Sequence, residues 1–217
     1  MITPRTGGLC FIAAAPLFWL TWFLIPEPGT TNAAFILEAI AHQRSRVLLS
    51  ALLQTGCAVS VVLAVSSLPP ARSRLVTAGV VLTLVGALGN AADAVYHQMA
   101  YEMTAPDVNR IAMLPVMTRM QTEQVWLLVP LLLSFFPGTA CLCIGLARAG
   151  QGPANVGRLF ATALAVGLLG AIAAVTLGIS PRPMTMSALA LFSGALGWTG
   201  WTMRRASSPR SKHSLAL

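Results

Sequence analysis

The sequence predicts an all-α fold, a polytopic transmembrane bundle of six helices, and three observations carry that prediction. Of 217 residues, 56% are hydrophobic and only 9% are charged, against roughly a quarter charged in soluble domains. A water-facing surface cannot be covered with so few charges. Apolar runs free of Lys, Arg, Asp and Glu recur six times, each near the roughly 20 residues a helix needs to cross a bilayer. Turn or charge signals separate them, among them Pro26-Glu27-Pro28-Gly29, Pro69-Pro70 with Arg72 and Arg74, and Ser180-Pro181-Arg182-Pro183. The wealth of Leu, Val, Ile and Phe excludes disorder. Runs that are continuous rather than alternating exclude an outer-membrane barrel.

The spans are expected at residues 7–25, 47–68, 75–92 with helix continuing to 99, 125–147, 159–180 and 184–203. Together they form one membrane domain over 1–203, followed by a basic tail at 204–217. The first run reads as a span and not a cleaved signal peptide, because it is long and no small-x-small site precedes Pro26. Basic residues set the orientation. Arg5, Arg72, Arg74, Arg148, Arg158, Arg204, Arg205, Arg210 and Lys212 fall on one side, against Arg44, Arg46, Arg110, Arg119 and Arg182 on the other. Positive-inside then places both termini in the cytoplasm. All six acids, Glu27, Glu38, Asp93, Glu102, Asp107 and Glu123, lie on or toward the outer side. The basic excess is therefore an orientation signal, and no nucleic-acid partner is expected. The tail is read as a stop-transfer element in contact with anionic lipid.

Two outer connections are long enough to carry amphipathic helices, about 31–46 and 104–121. The first opens with the cap-type residues Thr30, Thr31 and Asn32. It lies in the interface or runs into the second span, and in the latter case Glu38, His42, Arg46, Ser50, Gln54 and Cys57 share one face. In the second, Thr104 is the expected N-cap, with Pro106 and Asp107 in the first turn. Ile111, Leu114 and Met117 or Met120 would form its apolar stripe.

Chemistry concentrates on the third span. Asn90, Asp93, His97 and Tyr101 follow one another at steps of three, four and four, so they line one helix face near the outer end. Asp93 is the acid that must sit within a span, where an ionised side chain costs about 2.5 to 3.5 kcal/mol at mid-membrane. Such a residue is a functional candidate when a partner is at hand. His97 lies one turn on, and Arg44, Arg46 or Arg110 could reach it from the outer loops. The same acid-to-histidine spacing recurs in Glu38 and His42. Asp93, His97, Glu38 and His42 are thus the candidate acid–base residues, with Asn90, Tyr101, Gln54, Glu102 and Arg46 as candidate substrate-binding residues. A structural pair that only fixes helix packing is the competing reading of Asp93 and His97.

No cofactor and no metal ligand set is expected. Two carboxylate–imidazole pairs on one side of the membrane could converge on a divalent metal of the zinc, manganese or iron type, yet the Glu-x-x-His spacing of di-iron bundles is not met. A haem held by His42 and His97 is the other alternative weighed. No Cys-x-x-Cys occurs among Cys10, Cys57, Cys141 and Cys143, against a thiol oxidoreductase. Gly170, Ala174 and Gly178, and Gly194, Gly197 and Gly200, are small residues at one-turn steps that favour close helix approach and a possible homo-oligomer. Trp19, Trp22, Trp126, Trp198 and Trp201 read as an interfacial belt.

Six spans invite comparison with the rhomboid proteases, but Phe192-Ser193-Gly194 is not their Gly-x-Ser-Gly motif. Membrane zinc hydrolases of the ceramidase type use more histidines than this chain's spans offer. Cys143-Ile144-Gly145-Leu146-Ala147-Arg148-Ala149-Gly150, leading through a short loop into another span, resembles small uncharacterised bacterial multi-pass membrane proteins. That resemblance implies no activity. Thirteen Arg against one Lys associates with a GC-rich genome, and the expected location is the bacterial plasma (inner) membrane. The leading functional reading is an outward-facing acid/histidine pocket that binds or transforms a lipophilic small molecule. A small proton-coupled transporter is the alternative, although inner half-spans with no charge and mostly Ser, Thr and Cys as polar groups line an inward path poorly. A non-catalytic membrane subunit acting through partner contacts is the third. The orientation is directly testable: a reporter enzyme fused at Leu217 is expected to be active only in the cytoplasm, and activity outside would overturn it.

Overall fold

The computed structural model describes residues 3–26, 32–69 and 73–206. Glu27, Thr30, Thr31, Arg72, and the part of the basic tail that holds Arg210, Lys212 and His213 lie outside these residues. Every regular element among the described residues is helical: α1 (Pro4–Leu24), α2 (Ala33–His42), α3 (Arg44–Ser66), α4 (Arg74–Met103), α5 (Arg110–Arg119), a π-helical turn (Met120–Gln124), α6 (Val125–Arg148), α7 (Val156–Leu177) and α8 (Arg182–Ala206). Five of them, α1, α3, α4, α6 and α7, are long and apolar enough to cross a membrane. The last helix, α8, is 25 residues long but falls short of that apolarity. Its Thr, Ser and Gly content and its terminal arginines dilute the apolar residues.

Local chemistry sets the helix ends. The Thr3 hydroxyl accepts the Thr6 N–H at 3.3 Å ahead of Pro4 at the first helical position, Asn32 accepts from Ala34 N at 2.9 Å, and Asn109 accepts from Ile111 N at 3.1 Å. These satisfy amides that have no intrahelical partner. Gly178 ends α7 in the left-handed region, φ 63°, the conformation in which glycine carries no Cβ penalty.

Two expected starts and continuities differ. Thr104 does not open the outer helix but closes α4: its hydroxyl bonds back to the carbonyls of Ala100 and Tyr101 at 3.3 and 2.9 Å. The cap role passes to Asn109, and α5 runs through the π turn into α6. The helix over 31–46 is also not continuous with the second span. Gln43, at φ −129° and ψ 30°, breaks it, because α2 turns to bury Ile36, Leu37 and Ile40 in a cluster with Met103, Met117 and Met120. Met117 and Met120 are thus buried, whereas Ile111 is exposed.

The long helices pack antiparallel in the order α7, α8, α1, α3, α4, α6. Along α1 and α8, Gly8 faces Gly200 and Ala15 faces Gly197. At their far end the Trp19 indole donates to the Met186 carbonyl at 3.2 Å, and the Arg182 guanidinium donates to the carbonyls of Phe23 and Ile25 at 3.0 and 3.3 Å. A cation is thereby set on the negative end of α1's dipole. Along α1 and α3, Ser50 donates to the Thr21 carbonyl at 3.0 Å and Cys57 to that of Ala14 at 3.6 Å. Phe18, Phe135, Phe136, Phe160 and Phe192 meet at tilted and edge angles with centroids 5.0 to 5.9 Å apart, joining α1, α6, α7 and α8.

The closest approach is between α4 and α6. A Cβ added at Gly89 would lie 2.6 Å from the Leu131 carbonyl carbon, one at Gly138 2.6 Å from that of Leu82, and Gly79 and Gly86 face the backbone of Leu142 and Phe135. The glycines singled out by spacing contribute less. Gly170 meets Met184 and Gly200 meets Gly8, but Gly194 faces open space and Gly178 is a helix terminator. The tryptophans also divide: Trp126, Trp198 and Trp201 are exposed, whereas Trp19 and Trp22 pack on the apolar core.

This order gathers charge by end. One end of the bundle holds Glu38, Asp93, Glu102, Asp107 and Glu123 with Arg44, Arg46, Arg110, Arg119 and Arg182. The other holds Arg5, Arg74, Arg148, Arg158, Arg204 and Arg205, with no carboxylate among the described residues. Gly86→Leu, driving a side chain into the α6 backbone, is expected to destabilise the bundle by about 3 kcal/mol or more. Gly194→Ala should be neutral or gain about 0.5 to 1 kcal/mol. Denaturant titration in mild detergent, followed by circular dichroism, checks both.

Candidate functional site

Asp93 is held at the carboxylate end of α4 and is 6% exposed. It faces α3, where the antiparallel pairing brings Gln54 to the same level. The Gln54 amide Nε2 donates to Asp93 Oδ2 at 2.7 Å. One turn toward the end of α4, His97 Nδ1 stands 3.6 Å from the same carboxylate oxygen and 3.4 Å from Gln54 Oε1. Both neighbours are acceptors, so the network is satisfied by a proton on Nδ1. Nε2 then carries the free lone pair, and it has no hydrogen-bond partner among the described residues. The His97 side chain keeps 14% of its surface exposed, making it the accessible edge of an otherwise buried trio.

The remaining candidates are dispersed. Asn90, one turn deeper, donates to the Gly86 carbonyl at 2.9 Å, and its buried Oδ1 has no partner among the described residues. Tyr101 lies under the Arg44 guanidinium, 4.2 Å from ring centroid to Cζ, while Arg44 Nη2 donates to the Tyr101 carbonyl at 3.3 Å. That cation–π contact ties the start of α3 to the end of α4, so Arg44 serves Tyr101 and not Asp93. Arg46 donates to the Gln43 side chain at 2.6 Å in an exposed pair. Glu38 and His42 are 3.9 Å apart on α2, both exposed, with His42 at 76%. Since α2 is a separate helix, these two do not share a face with Gln54. Among the described residues no three of His, Cys, Asp and Glu gather into one group, so the two pairs do not converge.

Clefts surround the trio's end of the bundle. One of about 460 Å³ is lined by Val95, Gln98, Met99, Glu102, Met103 and Met113 on the far side of α4 from Asp93. Another, also of about 460 Å³, sets Glu38 beside Arg110 between α2 and α5. The spacing of α4 did not reveal Tyr96, Met117 and Gln121. Gln121, in the π turn, donates to the Tyr96 hydroxyl, which in turn points to Met117 Sδ at 3.8 Å. The Tyr96 ring meets the His97 imidazole edge-on at 5.8 Å. A tyrosine beside a candidate histidine was the available signal; its partners come from a distant helix whose π turn is not written in composition. Such turns recur at functional sites.

Comparison of the chain with protein-family models, with curated proteins and with solved structures finds no match.

The coupling within the trio can be measured. Gln54→Leu strands the Asp93 carboxylate and is expected to cost about 1 to 3 kcal/mol. Gln54→Leu combined with Asp93→Leu should cost less than the two single changes together, by about 1 kcal/mol. Strict additivity in that double-mutant cycle would show that the contact carries no energy.

Proposed function

We propose that this protein is a six-span bacterial plasma-membrane protein, both termini cytoplasmic, that binds a lipophilic small molecule at the carboxylate end and acts on it by acid–base chemistry through His97. In this reading α8 is the sixth span, its polar residues tolerated because one face packs on α1 and α7. The observation that carries the reading is a buried carboxylate beside one imidazole nitrogen of a partly exposed histidine, whose other nitrogen has no hydrogen-bond partner among the described residues. A carboxylate on Nδ1 fixes the tautomer and orientation of the ring and stabilises the imidazolium formed when Nε2 takes a proton. Gln54 holds the carboxylate in turn. An amphiphile reaching this end from the surrounding bilayer would present its polar group at the level of His97, where Tyr96 and Gln121 add a hydroxyl and an amide.

A non-catalytic role has its own support: Gln54, 1% exposed, spends its amide on the buried Asp93 carboxylate and its oxygen on His97, as a pure packing clasp would. The two readings differ in the behaviour of conservative variants. Purified protein screened against long-chain alcohols, phenols and carboxylic acids is expected to melt several degrees higher with at least one class. His97→Asn and Asp93→Asn should abolish that gain while keeping the helical content and unliganded Tm within a few degrees. Variants that retain the ligand-induced gain would place binding elsewhere, and variants that unfold would favour the clasp.

A further inference from the structure

At the opposite end of the bundle, α7 leans along α8 and barely meets α6, which opens a cleft of about 600 Å³ between the three helices. Its walls are apolar: Pro137, Ala140 and Ile144 of α6, Leu164 and Leu168 of α7, and Ala188 of α8 are among them. Along α7 the lining runs from Gly157 to Leu168, which at 1.5 Å per residue is about 16 Å. That is half the roughly 30 Å hydrocarbon thickness of a bilayer, the depth of one leaflet. Leu164 and Leu168 stand exposed at its rim, so the cleft communicates sideways with the surroundings of α7.

Charge identifies the occupant. Arg148 continues the row Pro137, Ala140 and Ile144 by one further helical turn, and Arg158 follows Gly157 in the first turn of α7. Both are exposed, and neither guanidinium has a hydrogen-bond or ion-pair partner among the described residues. No described carboxylate lies at this end to neutralise them. An apolar slot of leaflet depth, with one arginine a helical turn beyond its α6 lining and another next to its last α7 lining residue, matches a chain attached to an anion. Guanidinium bonds phosphate through paired N–H donors, and basic pockets between membrane helices suit anionic headgroups.

We infer that the α6–α7–α8 cleft binds an anionic phospholipid, one acyl chain along Ala140, Ile144 and Leu164 and the phosphate on Arg148 and Arg158. The site is independent of the orientation of the chain in the membrane and of the role of His97. It also explains why α7, the least buried of the apolar helices, can stand apart from α6: the lipid chain fills the gap.

Native mass spectrometry of the full chain released from mixed micelles tests this, with phosphatidylglycerol and phosphatidylcholine of identical chains offered at equal concentration. The wild-type protein is expected to retain phosphatidylglycerol at least fivefold over phosphatidylcholine, and added inorganic phosphate at millimolar concentration should not displace it. Equal retention of the two lipids by the wild type would overturn the proposal without recourse to any variant. Displacement by inorganic phosphate would reduce it to a bare anion site and likewise overturn it. Arg148→Gln with Arg158→Gln should remove the preference, whereas Arg204→Gln with Arg205→Gln, equally basic and at the same end but stacked on Trp201, should leave it. An equal loss from both pairs would mean diffuse attraction and no site. Gly167→Leu, whose added Cβ meets only Ala188 Cβ at 3.7 Å, fills the cleft without touching backbone and should lower retention of both lipids about tenfold. Unchanged retention would show that the chain does not lie there.

Discussion

Gly79, Gly86 and Gly89 leave no side chain between α4 and the backbone of α6, and Gly138 returns the same clearance from the other side. Inside a membrane the hydrophobic effect does not drive one helix onto another, so association depends on close packing. A helix that approaches this closely on one face is fixed in rotation. With its glycine face on α6, α4 buries Asp93, one turn beyond Gly89 on that same face, where Gln54 of α3 reaches it, and it leaves Val95, Met99 and Glu102 to a surface cleft. The polar trio is thus a consequence of where the glycines are.

Scarcity of polar groups makes each one count. Leaving a buried carboxylate without partners is costly, and among the described residues Gln54 is the side chain hydrogen-bonded to Asp93, with His97 Nδ1 3.6 Å from the same oxygen. Both Gln54 groups are used, the amide nitrogen on the carboxylate and the oxygen on the imidazole. The result is an oriented ring with one nitrogen engaged and the other available. A clasp needs only the first property, whereas chemistry needs the second.

The two ends of the bundle divide the remaining functions. Three of the five arginines at the carboxylate end are employed inside the protein: Arg44 on Tyr101, Arg182 on the end of α1, Arg46 on Gln43. At the other end Arg148 and Arg158 have no such partner, and the apolar cleft between α6, α7 and α8 opens beside them. Charges that are paired fasten helices to one another; charges that are unpaired beside a greasy slot recruit what the bilayer contains.

Composition and spacing by themselves determined that the chain is all-helical, where the long helices lie, that charge is segregated along the chain, and that Asn90, Asp93 and His97 share one face. These follow from hydrophobic runs and helical periodicity, both local properties. The break at Gln43, the closing role of Thr104 and the π turn were decided by tertiary structure, because α2 and α5 adjust to bury Leu37, Met117 and Met120 together. So was the true partner of Asp93. Three arginines were in reach by sequence, yet the antiparallel register of α3 and α4 delivers Gln54 at the right level and sends Arg44 about two turns further, onto Tyr101. Register is set by which small residues let backbones touch, and spacing along one helix cannot say which glycines on another will meet it.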